Sequence, residues 1–115
     1  MKFRKDEGFT LVELMVVVLI IGILVAIAIP VFNAARATAE ERSCFANQRT
    51  LEGAAQSWAA DDVANDINAV AVADLVADEF VKVAPICPTT DAGYTFTANS
   101  GGTVDDCASH GHYTD

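Results

Sequence analysis

The sequence has few basic residues, and nearly all of them lie in its first half. Beyond Arg49 the only basic residue is Lys82, against eleven acidic residues, and the chain of 115 residues has a formal net charge of -9. Such a chain would repel a phosphate backbone, so we expect no direct nucleic-acid binding by the isolated subunit. The roughly 80 residues outside the apolar segment described next suffice only for a small core, which argues against a large catalytic fold.

Polar side chains are almost absent from a long segment near the N-terminus. Between Phe9 and Ile29 only Thr10 and Glu13 are polar. About twenty consecutive apolar residues cross a bilayer as an α-helix, which satisfies its own backbone hydrogen bonds in lipid. The segment therefore predicts a single membrane-spanning helix.

The basic residues around this segment predict its orientation. Lys2, Arg4 and Lys5 precede it, and the next basic residue is Arg36. Basic residues favour the cytoplasmic side of a membrane, so we expect a cytoplasmic N-terminus and an exported C-terminal region.

Two ordinary explanations of the segment compete with a more specific one. A secretory signal peptide could end at the A-x-A-like site at residues 26–28, but its apolar core would be shorter. A plain signal anchor would merely tether the C-terminal region. Neither accounts for Glu13, because a carboxylate costs up to about 2.5–3.5 kcal/mol at the centre of a membrane.

Residues 5–14, KDEGFTLVEL, resemble the type IV prepilin signature, in which a charged leader ends in glycine before Phe-Thr-Leu-x-Glu. The resemblance implies that a prepilin peptidase cuts after Gly8 and N-methylates the new terminal Phe9. It also implies that Glu13 of an incoming subunit meets the amino terminus of a subunit already in the filament. Removing one partner of such a buried pair costs about 3–5 kcal/mol, so Glu13 would set the register of assembly.

Gly22 and Pro30 enclose a stretch in which helix is weakened. Proline removes a backbone hydrogen bond and clashes with the carbonyl four residues back, and glycine is a poor helix former. In a membrane-bound monomer a simple kink is sufficient. By resemblance to assembled pilins, we expect partial loss of helix between these two residues in the filament.

The predicted fold is α+β and type IV pilin-like, with a long N-terminal helix packed against a small head that contains a β-hairpin. We divide the chain into a leader, a transmembrane and assembly helix, an amphipathic helix and a C-terminal head, at residues 1–8, 9–32, 33–60 and 61–115. Cys44, Leu51, Ala55 and Trp58 share one face of the amphipathic helix, interrupted by Gln48, and predict where the head docks.

The head itself shows two local patterns. Apolar residues from Val72 to Phe80 have helical spacing and predict a short helix. Residues 94–98 alternate between apolar residues and threonine, residues 99–102 form a turn, and residues 103–107 are the expected return strand.

Three cysteines in an exported head suggest a disulfide bond. Cys87 and Cys107 flank the predicted hairpin, and closing a loop of about twenty residues stabilises by roughly 3 kcal/mol in the chain-entropy model. Cys44 would remain a buried thiol. The alternative is structural zinc bound by Cys44, Cys87, Cys107 and His110, since three thiolates and an imidazole are a known zinc ligand set. We favour the disulfide, expect no cofactor, and place His112 at the surface.

Together these patterns predict a structural protein and not an enzyme, since no nucleophile–base pair or phosphate-binding loop is present in the sequence. The expected function is the subunit of a type IV pilus or pilus-like filament. Its partners would be copies of itself, the membrane, prepilin peptidase and the inner-membrane assembly machinery. It would be a single-pass protein of the cytoplasmic membrane before assembly and extracellular afterwards. One alternative is the major pseudopilin of a type II secretion or DNA-uptake system. Another is a monomeric, membrane-anchored protein that binds a metal or ligand.

Overall fold

The computed structural model describes residues 8–113 and contains two helices, α1 (Leu11–Asp61) and α2 (Val72–Ala77). The chain divides into two compact units, one ending at Arg36 and the other beginning at Ala37. The membrane-spanning and amphipathic halves predicted at residues 9–32 and 33–60 belong to one helix of 51 residues, as expected.

The N-terminal unit contains the apolar part of α1. Pro30 lies inside the helix, and the helix continues through it. The large apolar side chains from Leu11 to Phe32 are exposed to solvent. Part of α1 is long and apolar enough to cross a membrane, and none of that stretch is buried. This confirms the predicted long apolar helix.

The C-terminal unit packs its core on one face of α1. Cys44, Leu51, Ala55 and Trp58 are all buried there, which confirms the predicted docking face. The rest of the apolar core comes from α2 and from the loops around it, namely Val70, Leu75, Cys87, Tyr94, Val104 and Cys107. Among the described residues, every buried side-chain nitrogen or oxygen has a hydrogen-bond partner.

Helix α2 begins where it was predicted but ends three residues earlier. The N–H of Ala71 donates to the Asp74 carboxylate at 3.0 Å at its start. At its end Glu79 has a φ of 61°, outside the right-handed helical region. The N–H of Val81 then turns back to the carbonyl of Leu75 at 3.0 Å, and Leu75 is fully buried.

The predicted β-hairpin is wrong in its extent: residues 8–113 contain no named strand. The backbones of the two segments pair only at an isolated antiparallel bridge between Phe96 and Val104, beside which the hydroxyls of Thr95 and Thr97 donate to the Asp105 carboxylate. The pairing stops because the next backbone groups bond elsewhere. The N–H of Asn99 donates to the carbonyl of Asn68 at 3.2 Å, and the N–H of Cys107 donates to Gly111 at 3.0 Å. A two-stranded pairing has little stability of its own, so these competing bonds are preferred.

The turn between the two segments depends on Gly102. Its φ is 84°, and an added Cβ would lie 2.9 Å from Cγ1 of Ile67 and 3.3 Å from Cβ of Ala55. The turn therefore lies directly on α1, in a position that a side chain would obstruct.

Candidate functional site

The start of α1 carries the residues of the prepilin signature. Gly8 and Phe9 are exposed and precede the helix, whereas most of the predicted leader, residues 1–7, lies outside the described residues. The backbone N–H of Thr10 donates to Oε2 of Glu13 at 2.9 Å, and the N–H of Glu13 donates to Oγ1 of Thr10 at 3.2 Å. These reciprocal bonds are a capping box, which satisfies two N–H groups at the start of the helix.

The capping box was missed in the sequence analysis, although Thr-x-x-Glu at a helix start is its known pattern. It gives Glu13 a partner within its own chain. A carboxylate has about four acceptor positions, so the bond to Thr10 leaves capacity for a further donor. Gly22 and Pro30 are both helical in the single chain, and the helix loss expected in an assembled filament stays a prediction.

The second candidate site is a cluster of four side chains in the C-terminal unit. The potential ligand atoms of Cys44, Cys87, Cys107 and His110 all lie within 4.8 Å of one another. The three cysteines are buried and His110 is partly buried. Sγ of Cys107 lies 3.2 Å from Sγ of Cys87 and 3.8 Å from Nδ1 of His110.

Two tight loops position three of these residues. The N–H of Cys87 donates to the carbonyl of Ala92 at 2.8 Å, and the N–H of Asp91 returns to the carbonyl of Cys87 at 2.8 Å. The N–H of Gly111 donates to the carbonyl of Cys107 at 2.7 Å, and the Gly111 φ of 71° allows the chain to close there. Cys44 comes from α1, so three separate segments meet in the cluster.

Hydrogen bonds and burial shift the pKa values of Cys87 and Cys44 in opposite directions. The Thr90 side chain, opposed by burial and assisted by backbone N–H groups of Thr89 and Thr90, lowers the pKa of Cys87 to about 6. Burial raises the pKa of Cys44 to about 12. Burial also raises the pKa of Tyr94, whose hydroxyl donates to Sγ of Cys44 at 3.3 Å.

The predicted disulfide and the alternative zinc site use the same atoms. At 3.2 Å the sulfurs of Cys87 and Cys107 are farther apart than the about 2.05 Å of a disulfide bond, and all three cysteines are free thiols in the structure. The two sulfurs of the predicted disulfide are thus close together, and so are the four potential zinc ligands. The disulfide bond and the zinc site both stay predictions.

A polar group beside the cluster was not predicted. Gln48 is fully buried; its Nε2 donates to the carbonyl of Gly111 at 2.9 Å, and its Oε1 accepts from the N–H of Tyr113 at 3.1 Å. In the sequence, the only indication of this buried amide is that Gln48 interrupts the apolar face of α1. Glu52 accepts from the Tyr113 hydroxyl, from the N–H of Val104 at 3.0 Å and from Nε2 of His112 at 3.0 Å.

His112, predicted at the surface, is partly exposed there, and its Nε2 pairs with Oε1 of Glu52 at 3.0 Å, a contact that the sequence did not predict. Burial opposes charge on both groups, but their hydrogen bonds prevail. The bonds from Tyr113, Val104 and His112, in that order, lower the pKa of Glu52, and the bonds to Glu52 and to the Tyr113 carbonyl raise the pKa of His112.

The chain matches the family described as the prokaryotic N-terminal methylation motif over residues 3–29. It is 43% identical over 68 residues to the type IV major pilin protein PilA of Myxococcus xanthus, which covers 55% of this chain and 31% of that protein. It is 36% identical over 61 residues to type II secretion system core protein G of Vibrio cholerae, covering 53% of this chain and 42% of that protein. The chain thus spans less than half the length of these two relatives.

A further relative matches along most of both chains. The competence protein ComGC of Bacillus subtilis is 30% identical over 84 residues, covering 73% of this chain and 83% of that protein. No solved structure matches the chain significantly. The helix start, the exposed apolar helix and these relatives together show that the chain belongs to the type IV pilin and pseudopilin family.

Proposed function

We propose that the chain is a structural subunit of a type IV pilus or pilus-like filament, assembled by packing of its N-terminal helices. The observation that carries the proposal is the exposure of the apolar side chains of α1 from Leu11 to Phe32. Covering apolar surface gains roughly 25 cal/mol per Å², so this helix needs a membrane or copies of itself around it. On assembly the apolar helix leaves the membrane and is covered by the helices of other subunits instead.

The proposed processing uses the exposed residues before the helix. Prepilin peptidase cuts after Gly8 and methylates the amine of Phe9, and both residues are exposed and precede the first helical turn. A protease acts on extended chain, so this position suits cleavage better than a site inside α1 would. The N-terminus is cytoplasmic at this stage, and the C-terminal unit lies across the membrane.

In the proposed filament the Phe9 amine of one subunit meets Glu13 of its neighbour. Both charges would lie among apolar helices, where each needs an opposite charge nearby. The capping box holds the Glu13 carboxylate at the first turn with its Oε2 on the N–H of Thr10. The carboxylate is thereby fixed in position before a second subunit arrives, which reduces the entropy lost on pairing.

The stretch between Gly22 and Pro30 is proposed to lose helix in part on assembly. Its helix in the single chain lacks the hydrogen bond that Pro30 cannot donate. Inside a filament, contacts with neighbouring helices would replace the remaining weak bonds. A filament map showing continuous α-helical hydrogen bonding through this stretch would contradict this part of the proposal.

Substitutions of Glu13 test the assembly role. Glu13→Gln keeps a side chain that can accept from Thr10 but removes the charge, and Glu13→Ala removes both. If charge pairing drives register, both variants lower the yield of filaments sheared from cells by more than about tenfold, since a stranded buried charge costs about 3–5 kcal/mol. Glu41→Gln and Glu41→Ala, at an exposed position of the same helix, are the matched controls and leave the yield unchanged.

The outcomes separate the possible roles of Glu13. Normal assembly of Glu13→Gln with failure of Glu13→Ala would assign it to capping alone and refute charge pairing. Mass spectrometry of the sheared protein identifies its terminus: methylated Phe9 supports the proposal, whereas Ile29 would indicate ordinary signal cleavage. An intact Met1, with no filaments, would indicate a membrane-anchored monomeric protein.

The second candidate function is the major pseudopilin of a secretion or DNA-uptake system. It is favoured by the ComGC match, which covers most of both chains. Deleting the gene in its own host distinguishes the two: loss of long surface filaments supports the pilus, and loss of protein secretion or transformation without loss of such filaments supports the pseudopilin.

A further inference from the structure

We propose that Cys44, Cys87, Cys107 and His110 bind one structural zinc ion that ties the loops of the C-terminal unit to α1. This inference goes beyond the filament function and does not depend on it, because all four residues lie in the C-terminal unit, Ala37–Asp115.

The geometry of the four side chains fits a tetrahedral metal. Zinc bonds of about 2.3 Å to sulfur and 2.0–2.1 Å to nitrogen place neighbouring ligand atoms roughly 3.5–3.8 Å apart. Sγ of Cys107 is 3.2 Å from Sγ of Cys87 and 3.8 Å from Nδ1 of His110, and no pair in the cluster exceeds 4.8 Å. Side-chain adjustments of a few tenths of an ångström to about 1 Å bring the set to zinc distances.

A hydrogen bond at the cluster suits the metal-bound form of the cysteines. Zinc binds cysteine as a thiolate, so each cysteine that still carries its proton loses it as the ion enters, and the site keeps a net charge of -1. A hydrogen-bond donor already faces one of the sulfurs: the hydroxyl of Tyr94 donates to Sγ of Cys44 at 3.3 Å. Such donors around a metal site orient its ligands and offset the charge of thiolates.

Zinc accounts for more of the cluster than the disulfide does. A bond between Cys87 and Cys107 would use two of the four side chains and leave Cys44, which is 0% exposed, as a thiol beside it. It would also join the two loops only to each other. Zinc joins both loops to α1 through Cys44.

The unit has a structural need for such a link. Beyond Ala77 the described chain contains no helix and only isolated β-bridges, so few backbone bonds hold residues 78–113 in place. Small domains with little regular structure commonly depend on a metal or on disulfides for stability. A zinc ion at the point where three segments meet would supply this stability.

The test uses the full chain, extracted from membranes in mild detergent without chelator or reductant. Zinc is measured by emission spectroscopy, and cysteines are counted by alkylation after denaturation in the presence of chelator. We expect one zinc per chain and three alkylated cysteines. Replacement of zinc by Co²⁺ should give the visible absorption of a tetrahedral thiolate site.

Two variants and one matched control identify the ligands. Cys44→Ser removes one ligand but leaves the proposed disulfide pair intact, and His110→Ala removes the imidazole. Both should lose zinc to a competing chelator at least tenfold more readily than the unmodified chain does. His112→Ala changes a histidine two residues away that bonds to Glu52 and not to the cluster, so it should keep its zinc.

The proposal would be overturned in favour of the disulfide if the chain contained no zinc, had only one cysteine open to alkylation and had a mass two hydrogens lower than the reduced chain. The proposal would also be overturned if Cys44→Ser and His110→Ala both retained zinc as well as the unmodified chain does. If Cys44→Ser fails to fold, as judged by the fluorescence of Trp58, the His110 variant decides the question. None of these outcomes bears on filament assembly, which the Glu13 variants test separately.

Discussion

Gln48 provides the sharpest test of how the C-terminal unit is held together. Its fully buried amide bonds to the carbonyl of Gly111 and the N–H of Tyr113, and thereby fixes the segment that follows Cys107 against α1. Gln48→Leu retains the volume but removes the bond donated by the N–H of Tyr113 and one of the two bonds that the Gly111 carbonyl accepts, the other coming from the N–H of Cys107. A polar group in the interior that loses its bond costs about 1–3 kcal/mol, and the Gly111 carbonyl keeps one bond, so we expect a loss of about 1–3 kcal/mol.

This loss is large for a unit of this size. A domain of roughly 80 residues has a free energy of unfolding of about 4–12 kcal/mol. Each kcal/mol lost lowers the melting temperature of such a domain by about 4–8 °C, so we expect a decrease of at least about 4 °C. The assay is thermal or denaturant unfolding in detergent followed by the fluorescence of Trp58, the only tryptophan, which lies in the core of the C-terminal unit.

The matched control is Gln56→Leu, the same change on the same helix. The Gln56 side chain is exposed and donates to the carbonyl of Gly101 at 3.0 Å, a group that water can bond instead. Its loss should cost no more than about 0.5 kcal/mol. Equal stability of the Gln48 and Gln56 variants would refute the reasoning, because it would mean that water reaches the groups that Gln48 satisfies.

Two further substitutions test the loops around α1. The pKa of Glu52 is lowered by folding, so its contribution to stability is complete above its unfolded pKa and is lost as the pH falls through its folded pKa. The pKa of His112 is raised by folding, so its contribution to stability is complete below about pH 6.5 and is lost as the pH rises through its folded pKa. We therefore expect the pair to stabilise most between about pH 4.5 and pH 6.5, and Glu52→Gln to flatten melting temperature against pH; an unchanged profile would show that other groups determine it. Gly102→Ala should cost about 1–3 kcal/mol through its positive φ and its contact with the side chains beneath it. Gly93→Ala is the matched control, because an added Cβ there meets nothing within 4 Å, and its free energy of unfolding should be within about 0.5 kcal/mol of that of the unmodified chain. Equal losses of stability in the Gly102 and Gly93 variants would contradict this account.

Features that depend on neighbours along the chain could be predicted from the sequence. The apolar helix follows from composition alone, since a run of such residues has one stable backbone arrangement in lipid. The buried face of Cys44, Leu51 and Trp58 follows from their spacing, because residues seven apart lie on one side of a helix. The motif before the helix identified the family in the same way, and the Thr10–Glu13 capping box was available from the same residues.

The hairpin could not be judged from local pattern. Alternation of apolar and polar residues at 94–98 is compatible with a strand, but a ladder forms only if the backbone groups on both sides are not bonded elsewhere. Here Asn68, far away in sequence, accepts the N–H of Asn99, and the loop at Gly111 takes that of Cys107. The competition between these bonds exists only in the folded chain.

The sequence by itself determined that this chain has an apolar helical segment with an acid at its start, and a later helical face, at Cys44, Leu51 and Trp58, on which the head docks, because composition and spacing act along the chain. The tertiary structure alone decided that three cysteines and His110 converge within 4.8 Å, that Gln48 is buried with both amide atoms satisfied, and that His112 is paired. Those arrangements join residues up to 66 positions apart, between Cys44 and His110. Only packing of the loops against α1 brings such distant groups close enough to bond.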